Sequence, residues 1–474
     1  MISNLTNIPK RVIIAATASN SGKTVISAAI MAKLAKMGYK VSAAKVGPDF
    51  IDPMFHKFAI GRDSINLDIF LSGEANVNAL LAENSTGSDI TVIEGVLGLF
   101  DGASIDEKLG YDYRERNLNS FLPFGSTAHV ALVTKSPVVL VVDAKSSVGS
   151  CVATVYGFSK INKTLQIKGI IFNNISSKAH LNGLLDAFKS LDIPIVGHIY
   201  RDDRLSLKSR HLGLIPVDEY DTATLNRLKG IADKITENID IRKLVEISKS
   251  APKLQSATKL VQPIAQNINI AVAKSKGFNF YYGINLKRLE QLGAQLTFFD
   301  PLKDKSIPKD IHGLYIGGGY PEIFAEEISA NAKLLTNIKS AAVNNLPIFA
   351  ECGGLLLLST SLNDRSMADV FPTTINLTDK LTLGYVSATF LSETCISNKG
   401  DIVKGHEYHY TQSKPIGKVA KFSSRNGVKN SGFKFKNSFG SYLHLHLGSD
   451  ITPGEHFIKK ASLFKNSYRE SISV

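Results

Sequence analysis

The chain has 474 residues, 44% of them hydrophobic and 20% charged, ordinary proportions for a globular protein of two or three domains. Its net charge of +13 raises nucleic acid and membrane surfaces as partners, yet Lys and Arg are spread along the chain without a basic block, so neither is expected. Cys151, Cys352 and Cys395 are too widely spaced for a disulfide framework or a metal knuckle, Met1 to Arg11 lacks a secretory apolar stretch, and no apolar run spans a bilayer; the expected setting is the cytoplasm.

Val12 to Ala16 reads as a buried strand of a parallel sheet and Val25 onward as a helix. Between them, Thr17-Ala18-Ser19-Asn20-Ser21-Gly22-Lys23-Thr24 ends as a phosphate-binding loop does, with backbone N–H groups at a helix N-terminus available to phosphates. Lys23 is predicted to reach the terminal phosphates and the Thr24 hydroxyl to bind magnesium. Thr17 stands where the usual pattern has its first glycine, and Asn20 is a residue that tolerates the left-handed conformation such loops require. Further strands end in acids: Val41 to Val46 leads to Asp49, Thr91 to Ile93 leads to Glu94, and Asp101 follows soon after. Acids there are expected to hold magnesium beside the loop, which makes Thr24, Asp49 and Glu94 the predicted metal set. Asn20, Gly22, Lys23, Thr24, Lys45 and Asn173 form the predicted nucleotide-binding set. Val138 to Asp143 and Gly169 to Asn173 continue a β–α rhythm through about residue 215. The cluster of Arg201, Arg204, Lys208 and Arg210 reads equally well as a carboxylate-binding patch or a solvated basic loop.

Residues 222–267 are polar and lysine-rich and read as a helical connector. Ile268 to Ala273 opens a second α/β domain, so the expected division is 1–221, 222–267 and 268–474. In that last part, Pro347 to Leu356 places a short apolar run before Cys352, two glycines after it, and an apolar segment of helical length beyond. This is a strand–turn–helix elbow with a nucleophile at the turn, where the glycines let a carbonyl approach and leave N–H groups for an oxyanion. Gly440 to Leu447 alternates like a strand, which would put His444 and His446 on one face as candidate bases for the thiol. Residues 362–440 carry weak periodicity and few readable elements.

The elbow, the Gly317-Gly318-Gly319-Tyr320-Pro321-Glu322 loop and the downstream histidines resemble the class I glutamine amidotransferase domain over roughly 268–450. Lys45 to Pro53, Ile93 to Gly102, Arg210 to Pro216, Ala350 to Gly354 and Gly405 to Tyr410 occur in the order found in the cobyrinate a,c-diamide synthase family. The resemblance implies a P-loop-type doubly wound synthetase domain, similar to dethiobiotin synthetase, joined to a glutaminase domain. It implies ATP as co-substrate with Mg2+, L-glutamine as the nitrogen source and a corrin-ring polycarboxylate as acceptor. Cys352 would be the nucleophile and His444 its base, because His446 stands where better-known relatives carry an orienting glutamate. Gly317 to Glu322 would be the oxyanion loop, Asn173 the adenine contact, and Asp101 a substrate-positioning or ammonia-assisting acid. Cobyrate synthase and nickel-sirohydrochlorin a,c-diamide synthase are the nearest alternatives. A partitioning-type ATPase would explain the phosphate loop and leave Cys352 and the second half unused. No oligomeric state is read from the sequence.

Overall fold

A computed structural model of the protein describes residues 4–103, 121–202, 204, 209–210, 213–258 and 260–472. These fall into two compact units that meet in the chain at Leu260 and Val261. Among the described residues no helix is long and apolar enough to cross a membrane.

The first unit is built on seven parallel strands in the spatial order Ile65–Leu67, Val41–Val46, Ile90–Glu94, Lys10–Ala16, Val138–Asp143, Ile167–Ile175 and Ile195–Tyr200. The run Val12 to Ala16 is wholly inaccessible, which is why it reads as unbroken apolar sequence rather than as an alternation. From this central strand the chain first builds to one side and then to the other. The topological switch therefore lies at its carboxyl end, where ligands bind in open α/β sheets. The phosphate loop occupies that end, followed by the helix Lys23–Lys36.

The segment expected as a connector divides differently. Thr222–Thr236 and Ile241–Lys249 are helices whose first turns are capped by Asp221, accepting from the Thr224 N–H at 2.7 Å, and Asp240, accepting from the Lys243 N–H at 2.9 Å. The first packs on Lys23–Lys36 and the second on the sheet, while Leu254–Thr258 pairs antiparallel with Asn4–Ile8. Residues 222–258 thus belong to the first unit. Leu228, Ile231, Ile235, Leu244 and Val245 are the buried stripe, and the lysines that made the segment look like a linker cover its other face.

The second unit contains a six-stranded sheet in the order Ala294–Phe299, Ile268–Ala273, Gly313–Ile316, Ile348–Glu351, Ser438–Ser441 and Phe433–Phe435, parallel except for the last pair. A second sheet is mostly antiparallel and is dominated by Thr374–Phe390 and Ile402–Lys414. It lies within the stretch that gave little sequence signal. Thr374–Phe390 is half-exposed along much of its length and its register shifts between Leu377 and Thr382, so no clean alternation survives. The expected strand over Gly440 to Leu447 is a correction. Ser438–Ser441 belongs to the parallel sheet, and after a break at Tyr442 and Leu443 only His444–Leu445 resumes, pairing with Ile402–Lys414 in the antiparallel sheet.

Candidate active sites

In the first unit, Asn20 and Gly22 both take positive φ, 60° and 86°, which bends the loop so that Lys23 opens the helix. A Cβ on Gly22 would stand 2.7 Å from the Asn173 side-chain nitrogen, so this position has room only for glycine. Asn173 Nδ2 donates to the Ser21 carbonyl at 3.0 Å. It braces the loop from the end of a neighbouring strand, a contact the sequence did not indicate. Lys23 Nζ donates to the carbonyls of Ala18 and Leu97. Burial, with Lys45 nearby, lowers its pKa to about 8.

Thr24 Oγ1 donates to Glu94 Oε1 at 2.8 Å and to Asp52 Oδ1 at 3.2 Å. Lys45 Nζ lies 2.6 Å from Asp52 Oδ2 and 3.1 Å from Glu94 Oε1 and donates to the Gly95 carbonyl at 2.8 Å. Burial works against a charged Lys45, but Asp52 and Glu94 more than compensate and hold it as an ammonium. Burial likewise opposes an ionised Glu94, and the Lys45 charge together with the His56 and Thr24 hydrogen bonds overcomes it, so this carboxylate sits well below its usual range. Asp52 moves the other way, pushed up by burial and by the charges of Asp49 and Glu94.

Asp49 Oδ1 accepts from the backbone N–H groups of Ile51 at 2.7 Å and Asp52 at 3.1 Å, so it caps the helix Ile51–Ile60. The carboxylate beside Thr24 is Asp52, which sat inside a quoted motif without a role. One further feature was missed. His56 is fully buried, with Nε2 2.6 Å from Glu94 Oε2 and Nδ1 2.9 Å from Ser64 Oγ, and nothing in its helical spacing separates it from a core residue. Asp101 Oδ2 accepts from the Gly98 N–H at 2.8 Å and lies close enough to Lys23 to favour its charge.

Thr24 Oγ1, Asp52 and Glu94 form an all-oxygen donor set suited to magnesium. Among the described residues no three His, Cys, Asp or Glu side chains form a metal cage. Of the basic cluster, Arg204 pairs with Asp202 at 2.7 Å on the surface and Lys208 lies outside the described residues.

In the second unit, Cys352 carries φ 46° and ψ −97°, a conformation rare for any residue with a Cβ. Its N–H donates to the Ser441 carbonyl at 2.7 Å, and the wholly buried helix Gly353–Leu358 follows. The elbow is therefore clamped between its own strand and the next. A Cβ on Gly353 would meet Gly319 N at 3.2 Å, and one on Gly318 would meet the His444 ring at 2.5 Å. The glycine loop thus lies directly against both the elbow and His444. Tyr281 fixes that loop by accepting from the Gly317 N–H at 2.7 Å while donating to the Ala273 carbonyl. The Gly317 N–H is consumed by this contact, leaving the glycines that follow to face the elbow.

Glu351, one residue before Cys352, accepts from Tyr315 Oη at 2.6 Å and from the Leu445 N–H at 2.7 Å. Asn285 holds the same segment through the Leu445 carbonyl at 2.8 Å and the Leu447 N–H at 2.7 Å. These contacts set the height of His444 relative to Cys352. The thiol pKa is pushed well above its ordinary value, first by burial and then by the carboxylates of Glu322, Glu351 and Glu407. Burial, with His406 and His409 nearby, holds His444 well below the usual imidazole value. The resting pair is therefore thiol and neutral imidazole. Alkylation of Cys352 by iodoacetamide should accordingly be slow at neutral pH and rise only above the range of an ordinary thiol. A midpoint near or below pH 8.5, read by mass spectrometry of the Cys352 peptide, would contradict this picture.

One chain thus carries two modules, a nucleotide-binding sheet and a cysteine elbow whose adjoining glycine loop also lies against His444, the two parts that an ATP-dependent ligase taking its nitrogen from glutamine requires. Residues 12–215 match the CobQ/CobB/MinD/ParA nucleotide-binding domain, and residues 269–451 match the CobB/CobQ-like glutamine amidotransferase domain. A cobyrinate a,c-diamide synthase of Methanobrevibacter smithii is 38% identical over 93% of this chain and 96% of its own length. Proteins of the same description from Caldanaerobacter subterraneus and Listeria monocytogenes are each 36% identical, over 95% and 94% of this chain and 98% of their own lengths. The chain belongs to the cobyrinate a,c-diamide synthase family. A solved glutamine amidotransferase overlaps 41% of this chain and 98% of its own at 13% identity, but its TM-score of 0.31 is too low to carry an argument.

Proposed function

We infer that this protein amidates the a and c acetate carboxylates of cobyrinate or hydrogenobyrinate in corrin biosynthesis, consuming ATP and glutamine. The observation that carries the reading is the pairing of a phosphate loop with a cysteine elbow on a chain that a cobyrinate a,c-diamide synthase matches over 93% of its length.

A carboxylate is a poor acyl donor because its leaving group would be oxide. Transfer of the ATP γ-phosphoryl group to one of its oxygens gives an acyl phosphate, which ammonia attacks to form the amide and release phosphate. Lys23 and the loop N–H groups hold the phosphates in this scheme. Thr24, Asp52 and Glu94 are the residues that would hold Mg2+, which when bound neutralises charge on the β and γ phosphates. Lys45 keeps Glu94 and Asp52 oriented between turnovers, and Asp101, beside Lys23, is placed to position the acceptor.

In the other unit His444 takes the Cys352 proton as sulfur attacks the glutamine carboxamide carbon. The oxyanion is met by N–H groups of Gly319 and Gly353, the C–N bond breaks, and the proton passes to departing ammonia. Water then hydrolyses the thioester to glutamate. His444→Ala should lower glutaminase turnover by about two orders of magnitude, the usual scale for a lost general base. His446→Ala should cost less, and the reverse ranking would reassign the base.

We place the reaction in the cytoplasm, with small-molecule partners and neither nucleic acid nor membrane. The testing experiment incubates purified protein with ATP, magnesium, glutamine and each of cobyrinate, hydrogenobyrinate, cobyrinate a,c-diamide and nickel-sirohydrochlorin, and counts amides by mass. Two amides on either corrinoid is the expected result. Amidation confined to the nickel compound, or four further amides on an a,c-diamide, would replace this assignment with one of the two related activities.

A further inference from the structure

The glutaminase site raises a question that its nucleophile and base do not answer: what fixes the plane of the His444 ring. His446 stands two residues on, but an imidazole carries no negative charge with which to orient His444 as a carboxylate would, and burial with the Arg288 charge nearby lowers its pKa to about 4 and keeps it neutral. The antiparallel pairing instead places His406 opposite His444 as a direct register partner. The two rings stack with centroids 5.0 Å apart and planes 19° from parallel. His406 is itself held from behind, with its Nε2 2.7 Å from Tyr282 Oη. Tyr282 is in turn set edge-on against His446, with centroids 5.0 Å apart and planes at 71°. All four rings are at most 4% exposed, so close packing leaves them little freedom to turn.

We propose that His406, pinned by Tyr282, is the positioning residue of the glutaminase: its ring is the platform that sets the plane of the His444 imidazole toward Cys352. The inference rests on the reading of Cys352 and His444 as nucleophile and base. An uncharged ring suits the task in two ways. It holds the neutral imidazole by face-to-face packing before reaction. It also offers its π face to the imidazolium that forms when His444 takes the thiol proton, an attraction that strengthens in a desolvated site. Burial first, and His446 second, keep His406 uncharged by lowering its pKa to about 3, so it does not compete for that proton.

The test compares His406→Ala, His406→Phe and Tyr282→Phe in glutamine-dependent amidation, with each variant's fold checked by thermal unfolding followed by circular dichroism. A misplaced catalytic group can cost about a hundredfold. His406→Ala should therefore lower kcat for glutamine by about ten- to a hundredfold with little change in KM. His406→Phe, which restores a flat ring without the hydrogen bond, should recover most of the loss. Tyr282→Phe, which only unpins the platform, should lose several-fold. A parent-like kcat in His406→Ala overturns the proposal, as does a Phe variant no better than Ala when both unfold at the parent temperature. Should His406→Ala not fold, Tyr282→Phe decides: parent-like kcat there also overturns it. Cys352→Ala serves as the separate control. If that variant keeps glutamine-dependent activity, the nucleophile assignment has failed; if it loses it while every ring variant stays parent-like, only the platform has failed.

Discussion

Replacing Cys352 by alanine is expected to abolish amidation driven by glutamine while amidation driven by added ammonia continues near the parent rate. In the proposed mechanism the sulfur becomes covalently joined to the substrate, and the carboxylates of Glu322, Glu351 and Glu407, near enough to act on its charge, are weak nucleophiles toward an amide. Ammonia enters the reaction after this step, at an acyl phosphate formed by the other unit's residues. The loss should therefore be one of nitrogen supply, visible as a glutamine rate at background and an ammonia rate that saturates normally. Parallel rate measurements with the two nitrogen sources decide it. A variant that still used glutamine at the parent rate would remove Cys352 from the mechanism.

Glu94→Gln is expected to show the complementary pattern, with amidation lost for either nitrogen source and glutamine hydrolysis retained in part. Glu94 is fully buried at the carboxyl end of its strand and meets Thr24, Lys45 and His56 at 2.8, 3.1 and 2.6 Å. Glutamine has nearly the same shape but carries no charge, and one end of its amide donates where the carboxylate accepts. It would present an N–H to the Lys45 ammonium, to the Thr24 hydroxyl or to His56, and would no longer offset the positive charge of Lys45 or of an ion at the phosphates. An ammonia-dependent rate near the parent value would exclude Glu94 from phosphoryl transfer and undo the division of labour between the units.

Much of this was legible in the sequence because it rests on local rules. A phosphate loop must follow a buried strand and open a helix, and an elbow must have small residues after its nucleophile, so both leave signatures within ten residues. What escaped are features created by tertiary neighbours. Asp52 and Asp49 are equally plausible acids in one short motif, and only the turn into the helix Ile51–Ile60 decides which one caps and which one faces Thr24. His56 and Asn173 act through contacts to Glu94 and Ser21, far from them in sequence. Amphipathic helix was legible over 222–249, but its lysines hid that these helices pack within the first unit, and the shifted register of the long antiparallel strands erased the alternation that marks a sheet. His444 and His446 seemed to share one strand because the letters alternate, whereas the chain there leaves one sheet and joins another.

The three neighbouring strands Gly313–Ile316, Ile348–Glu351 and Ser438–Ser441 each deliver one part of the glutaminase site from the same end: the glycine loop, the thiol, and the segment leading to His444. The last of these is added from a distant part of the chain, and the Leu445 N–H closes onto Glu351 only when that strand is in register. A polypeptide synthesised from its N-terminus therefore carries Cys352 for a long interval without a base. Pairings of such sequence separation also form late, because loop closure precedes the contacts that reward it. With His444 as the base, that order of assembly would act as a safety catch: an unfinished chain would hold an inert thiol and liberate no ammonia.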